Sequence, residues 1–209
     1  MDKDLKEMFK EKNRVILVSN LKYDLSKNID SMLDTITNIF NLEFDTAIKN
    51  IVSILKDSCI VDANKFVTES VNKMKLESYS KIEELLSIKR DTLDSQVDNL
   101  EFEEESLNEY YETVFQTTKN FKDEFKNFSV LNIQKKGFES LNQFILDNVD
   151  SEREELTISR VSDYLENRLY GKLETKIHME LMLRDNNLIN KAKESYLRFQ
   201  AITSKTIKN

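Results

Sequence analysis

The chain has 209 residues, yet it contains no proline and only two glycines, Gly137 and Gly171. Tight hairpins depend on positive φ angles that glycine adopts most readily, and rigid corners favour proline. A sequence with so few of both lacks the turn residues that a β-sandwich or a doubly wound α/β fold requires. We therefore expect an all-α protein, an elongated antiparallel helical bundle of six or seven helices with coiled-coil-like heptad packing.

Heptad spacing near the N-terminus supports this expectation. Apolar residues follow alternating steps of three and four, with only Lys22 interrupting the series Val15, Val18, Leu25, Ile29, Met32, Ile36 and Ile39. Leu33 and Phe40 widen the stripe, which favours a bundle over an isolated two-stranded coiled coil. A turn is expected at 41–43. The seam is regular enough to predict a homodimer, and its burial within one chain is the alternative.

Two further heptad series predict a long helical hairpin over about 62–129. The first repeats an apolar residue every seven positions from Tyr79 to Leu107, but its partner positions become polar, at Lys89, Gln96 and Glu103. Because half of this seam is lost, we expect the helix to be thinly packed or to protrude. The second series starts at Leu107, so we expect a turn at 101–106, with a continuous helix through Leu107 as the alternative.

The rest of the chain completes one domain. Apolar stripes begin near residues 138 and 158, and the polar run 185–187 is expected to interrupt the last of them. We expect a single all-helical domain over 1–203 and a frayed C-terminal tail over 204–209. The preference for Lys and Asn over Arg and Ala indicates an AT-rich coding sequence, as in a low-GC bacterium or one of its mobile elements.

Most catalytic chemistry lacks its usual residues here. Cys59 and His178 are the sole cysteine and histidine, whereas a zinc site needs several such ligands. Neither glycine has a second glycine nearby, as a phosphate-binding loop would require. We therefore expect no enzyme, no cofactor and no metal. Carboxylate-only Mg²⁺ or Ca²⁺ sites stay open, although no EF-hand loop pattern occurs.

The sequence also predicts a cytoplasmic location. The longest unbroken apolar run is residues 15–18, far below the about 20 residues that a membrane-spanning helix needs. The N-terminal residues mix acids with bases and show no signal-peptide pattern. A single cysteine cannot form an internal disulfide.

An acidic stretch is the most distinctive feature. The net charge is −7, and no Lys or Arg occurs between Arg90 and Lys119. We expect eight of the acidic residues in this interval to contact a partner, since charges without basic neighbours form a steering surface: Asp94, Asp98, Glu101, Glu103, Glu104, Glu105, Glu109 and Glu112. A solvated hairpin tip is the alternative interpretation.

By elimination, the expected function is that of a non-catalytic helical protein-interaction or assembly module. The alternative is an acidic inhibitor or decoy that binds a basic, nucleic-acid-handling partner protein. The basic C-terminal stretch, 168–209, could in principle contact nucleic acid or a membrane surface. The acidity of the whole chain argues against nucleic acid. Membrane binding would need an amphipathic helix with Lys or Arg beside exposed Leu or Phe, and we do not expect it.

Overall fold

The computed structural model describes residues 3–135 and 137–208, and the side chains of residues 4–132 and 138–204. Helix accounts for 92% of the described residues, and no strand occurs among them. The predicted all-α class is therefore confirmed. No helix within the described ranges combines the length and the hydropathy needed to cross a membrane.

The described chain forms five helices. The first four are α1 (Lys3–Asp57), α2 (Asn64–Asp98), α3 (Glu104–Lys135) and α4 (Gly137–Asn148). The fifth is continuous but has three segments, namely α5 (Glu154–Asp163), a π-helical segment (Tyr164–Tyr170) and α6 (Gly171–Lys208). The predicted number of six or seven helices is not confirmed, because the breaks expected at 41–43 and at 185–187 are absent. The tail predicted over 204–209 falls mostly on residues whose side chains lie outside the described set, and α6 itself reaches Lys208.

The turn expected at 41–43 is the first of these breaks, and the prediction is wrong. Residues 41–43 lie within α1, which continues to Asp57. Phe40 and Phe44 are both buried and stack one helical turn apart, with ring centroids separated by 5.5 Å. The Glu43 carboxylate is itself buried and lies 2.5 Å from the Lys176 ammonium. The polar residue that resembled a turn therefore holds an ion pair within a continuous helix.

Two compact units can be distinguished along the chain. Unit 1 comprises Met1–Leu33, Leu86–Phe121 and Glu180–Asn209, and unit 2 comprises Asp34–Leu85 and Lys122–Met179. Both units combine segments that are distant in sequence, and α1, α2, α3 and α6 contribute to each. The single domain over 1–203 stays a prediction.

Unit 1 is built from four helical segments in antiparallel contact. Lys22 of α1 pairs with Asp98 near the end of α2, whereas Asp30, two turns later on α1, pairs with Arg90. The α3 and α6 segments also run in opposite directions, since Thr118 hydrogen-bonds Asp185 and the Lys193 ammonium lies over the Tyr111 ring. Apolar residues of all four segments fill the core, and the predicted coiled-coil-like heptad packing is not confirmed. The buried residues include Leu21, Leu25, Ile29, Leu86, Leu93, Val97, Val114, Leu188 and Ala192.

Unit 2 has an aromatic core around a buried hydroxyl. The Tyr170 ring packs edge-on against Phe44, and its hydroxyl lies 3.0 Å from the Ser78 hydroxyl. The Asn132 side-chain amide donates a hydrogen bond to the same Tyr170 oxygen. Burial raises the pKa of Tyr170 to about 12, although both hydrogen bonds oppose this shift. Tyr170 is the last residue of the π-helical segment, and its hydroxyl is the polar group inside this core.

The end of α1 is closed by a Schellman motif. The Ile60 amide donates to the Leu55 carbonyl and the Cys59 amide donates to the Lys56 carbonyl. This pattern places Cys59 in the left-handed region, with φ of 72°. Glycine is the usual residue at this position, so a cysteine here adds backbone strain.

Candidate partner-binding surface

The eight predicted partner-binding residues lie together in unit 1. Asp94 and Asp98 are on the last turns of α2, Glu101 and Glu103 are in the connection to α3, and the other four lie on the first turns of α3. Asp94 is half-buried, and the other seven are exposed. The structure therefore brings all eight to the surface at the junction of α2 and α3.

Two basic residues of α1 accompany this surface, contrary to our expectation of acids without counter-ions. The Lys22 ammonium lies 2.6 Å from Asp98 and 3.3 Å from Asp94. Those contacts, chiefly the hydrogen bond to Asp98, raise the pKa of Lys22. The Arg14 guanidinium donates hydrogen bonds to the main-chain carbonyls of Asp98 and Leu100. The expectation was wrong because it considered only residues near in sequence, whereas the antiparallel α1 supplies bases from far along the chain.

Five glutamates stay free of such contacts among the described residues. The carboxylates of these five are exposed and make no hydrogen bond or ion pair with another described residue, namely Glu103, Glu104, Glu105, Glu109 and Glu112. Glu104 and Glu105 occupy the first turn of α3, where the helix dipole favours negative charge. Stabilisation of the helix thus explains why Glu104 and Glu105 are acidic. It does not explain Glu109 and Glu112, which lie beyond the first turn.

Glu109 and Glu112 line an open groove between α2 and α3. The groove has a volume of about 780 Å³, and its walls include Thr92 and Gln96 of α2 and Phe115 of α3. The Phe115 side chain is 45% exposed, and Ile88, one turn before Thr92 on α2, is 54% exposed. An apolar surface with a carboxylate rim can accept the apolar side of a segment that also carries Lys or Arg.

A buried ion pair lies behind this groove. The Lys89 ammonium is 2.9 Å from an Asp185 carboxylate oxygen, with the two side chains 1% and 0% exposed. Lys89 also donates to the hydroxyls of Thr117 and Thr118, at 2.9 and 2.8 Å. Thr117 lines the groove as well, so one hydroxyl connects the groove wall to the buried charge. Burial lowers the pKa of Lys89, while Asp185 opposes that shift.

This ion pair overturns two expectations from the sequence. We expected α2 to be thinly packed because Lys89 interrupted its seam, but Lys89 is buried and Leu86, Leu93 and Val97 are buried around it. We also expected a break at 185–187, but α6 is continuous there and Asp185 faces the core. A signal was present, since Asp185 lies at steps of four and three between Leu181 and Leu188, as a seam residue does.

Neither His178 nor Cys59 forms part of a catalytic arrangement among the described residues. His178 is half-buried on α6, and its ring Nδ1 has no hydrogen-bond partner there. Cys59 is exposed, and the Arg153 guanidinium lies 3.2 Å from its Sγ. In the part of the chain that the structure describes, no cluster of three or more His, Cys, Asp or Glu side chains could hold a metal ion.

In comparisons with known proteins, the chain matches no protein-family model, no curated protein and no solved structure.

Proposed function

We propose that this protein is a non-catalytic protein-interaction module whose groove between α2 and α3 binds a basic amphipathic segment of a partner protein. The observation that carries the proposal is an exposed aromatic side chain, Phe115, in a groove that also holds two carboxylates with no ion pair among the described residues, Glu109 and Glu112. Lys119 of α3 also lines this groove, so the two carboxylates outnumber its basic residue. An exposed aromatic residue or an exposed carboxylate is common on protein surfaces by itself, so the support comes from their occurrence together in one groove.

The chemistry of the groove defines the kind of partner. Phe115 and the neighbouring Ile88 offer contact for apolar side chains spaced along one face of a helix. Glu109 and Glu112 favour Lys or Arg flanking those apolar residues, because opposite charges raise the association rate and exclude acidic competitors. Glu103, Glu104 and Glu105 add to the same negative field from the start of α3.

The eight predicted residues should therefore contribute unequally. Asp94 and Asp98 share the Lys22 ammonium, so a partner would have to compete with Lys22 for them. Glu109 and Glu112 form no ion pair among the described residues, and Lys119 is the basic residue that shares their groove. We expect the largest losses of affinity from changes at Glu109, Glu112 and Phe115, and smaller losses at Asp94 and Asp98.

The alternative function is that of an acidic inhibitor or decoy for a basic, nucleic-acid-handling protein. The five free glutamates support it, because closely spaced exposed carboxylates resemble the charge of a phosphate backbone. This alternative requires charge and does not require Phe115. The variant Phe115→Ala therefore separates the two functions.

A synthetic peptide of defined chemistry tests the proposal. The probe is a labelled amphipathic helix of Leu and Lys, its control is the same peptide with Glu in place of Lys, and fluorescence anisotropy measures binding at low and high salt. We expect the Lys peptide to bind, the Glu peptide not to bind, and binding to weaken as salt screens the charges. Glu109→Lys combined with Glu112→Lys should weaken binding at least tenfold, as should Phe115→Ala.

A matched control variant is available on the same helix. Asp123 and Glu124 are exposed acids of α3 outside the groove, so Asp123→Lys with Glu124→Lys changes the total charge equally. This control should bind the Lys peptide like the parent protein. Equal losses in the control and the groove variant would show that only net charge matters. Loss in the groove charge variant with no effect of Phe115→Ala would support the decoy function instead.

A further inference from the structure

The N-terminal turns of α1 carry an apolar surface that the described part of the chain does not cover. Residues 4–16 are helical, yet none of their side chains is buried. The exposed apolar side chains are Leu5, Met8, Phe9, Val15, Ile16 and, two turns later, Tyr23, with exposures between 44% and 69%. We call these six residues the α1 stripe.

The α1 stripe lies on the opposite face from the residues that attach α1 to unit 1. Leu17, Leu21 and Leu25 are the buried residues of this part of α1 and follow one another at steps of four. Tyr23 lies two residues from both Leu21 and Leu25, and two residues correspond to about 200° around a helix. This helix therefore has two apolar faces, of which only one is covered by unit 1.

The spacing of the α1 stripe is that of a helix-pairing seam. Phe9, Ile16 and Tyr23 repeat every seven residues, and Met8 and Val15 repeat in the same way beside them. Lys12 takes the position seven residues after Leu5. Ser19 takes the next position of the same row and is also exposed. Polar residues in such a seam weaken pairing but fix which register the helices adopt.

We propose that the α1 stripe is a homodimer interface, with the same stripe of a second copy as its occupant. The two stripes are identical, as an isologous interface requires. At about half exposure, six side chains of roughly 150–200 Å² each offer about 500 Å² per copy, so a pair buries about 1,000 Å², the lower bound for a specific interface. The contact is of the size that gives a weak, reversible dimer.

Charge supports a second copy over other occupants. Residues 4–16 carry three acids and four bases, namely Asp4, Glu7 and Glu11 with Lys6, Lys10, Lys12 and Arg14. Glu11 pairs with Arg14 and Lys10 lies over the Phe199 ring within the chain, so the charges that can pair with a second copy are the other four. These are two acids and two bases, so a second copy brings both signs, whereas a partner of one sign meets like charges in this segment. This interface shares Val15 with the seam that the sequence predicted but is otherwise different, because Leu25, Ile29, Met32 and Ile36 of that seam are buried within the chain.

Sedimentation equilibrium from low to high micromolar concentration tests the proposal on the full chain, whose monomer mass is 24.6 kDa. We expect a monomer–dimer equilibrium in the parent protein. Phe9→Glu with Ile16→Glu should raise the dimer dissociation constant at least tenfold, and Lys12→Leu should lower it, since it removes the charged residue from the seam. The control Leu76→Glu with Leu156→Glu, at positions 70% and 65% exposed, should dimerise like the parent.

Three results would overturn the proposal. One is a parent protein that sediments as a monomer throughout, and another is equal weakening of the dimer by the control. The third is a parent protein that is monomeric in solution but co-sediments with phosphatidylcholine–phosphatidylserine vesicles, while Phe9→Glu with Ile16→Glu does not. That result would identify a membrane as the occupant of the α1 stripe. Far-UV circular dichroism of each variant verifies that the helices are retained. The groove is a separate surface, so Phe9→Glu with Ile16→Glu should bind the Lys peptide normally, and either proposal can fail alone.

Discussion

Replacing Lys89 with methionine should strongly destabilise unit 1. Methionine keeps an unbranched apolar stem but removes the ammonium, which lies 2.9 Å from Asp185 in the parent protein. Asp185 is fully buried and would retain only the Thr118 hydroxyl as a donor. Removing one member of a buried ion pair costs about 3–5 kcal/mol, because the remaining charge is left desolvated and unpaired. We expect a loss of that size in the free energy of unfolding.

The double variant Lys89→Met with Asp185→Leu should recover most of this loss. With both charges removed, no desolvated ion remains, and apolar replacements of buried ion pairs range from neutral to about 1–4 kcal/mol stabilising. Urea denaturation followed by far-UV circular dichroism at pH 7, on the parent, both single variants and the double variant, gives the interaction energy. A cost below about 1 kcal/mol for Lys89→Met, or a double variant no more stable than either single variant, would refute the reasoning.

Asp185→Asn adds a test by pH. It leaves Lys89 buried without a carboxylate, so the pKa of Lys89 should fall further below its usual value of 10.5. Between the folded-state pKa and 10.5 the unfolded chain binds more protons than the folded chain, and stability therefore rises with pH in that interval. The destabilisation by Asp185→Asn should shrink as pH increases from neutral towards 10.5. A constant difference from the parent across that range would contradict this assignment.

Three further predictions concern other parts of the chain. Burial raises the pKa of Tyr170 from 10.0 to about 12, so the folded state holds that proton more tightly than the unfolded state. The free energy of unfolding should therefore fall by up to about 3 kcal/mol between those pH values. Urea midpoints across this pH range should fall less in Tyr170→Phe than in the parent protein. Cys59→Gly should raise the free energy of unfolding by about 0.5–1 kcal/mol, because glycine adopts the left-handed backbone without strain. Phe102 is also at positive φ, but its ring is buried against Phe199. Phe102→Gly should therefore lower the free energy of unfolding by about 3 kcal/mol. Changing four exposed acids to Lys should weaken Lys-peptide binding at least tenfold, about 1.4 kcal/mol, by fluorescence anisotropy, and should lower the melting temperature by a few degrees, because Lys in the first turn of α3 opposes the helix dipole: Glu101, Glu103, Glu104 and Glu105.

The helical class and much of the core followed from composition and spacing. Scarcity of glycine and proline excluded turn-rich folds, and heptad spacing placed Leu25, Ile29 and Met32 in the core, where they are buried. The sequence pattern did not predict that α1 and α6 are continuous helices. Breaks were expected wherever a short polar run crossed an apolar stripe, yet Glu43 and Asp185 each lie inside a helix and pair with a lysine distant in sequence. A local pattern cannot show such a partner.

The candidate site was predictable in part for the same reason. The acidic residues could be located because charge is visible along the sequence, and their exposure follows from their polar positions. Their neighbours could not be located, since Lys22 approaches Asp98 only after α1 and α2 pack in antiparallel contact. The groove was also missed, because it depends on how Phe115 and Thr92 of two helices are placed beside each other.

The buried pair of Lys89 and Asp185, which interrupts the apolar seams, also gives a reason why the helices of unit 1 pack in one register. Apolar seams repeat every seven residues, so two helices that slide by one heptad, about 10 Å, still place apolar residues against each other. Such a slide would separate Lys89 from Asp185 and would leave both charges buried without partners. We therefore expect Lys89→Met with Asp185→Leu to regain stability but to lose uniqueness of packing. Its amide NMR resonances should broaden and its binding of a hydrophobic dye should increase, whereas spectra as sharp as those of the parent would show that the apolar residues alone fix the register.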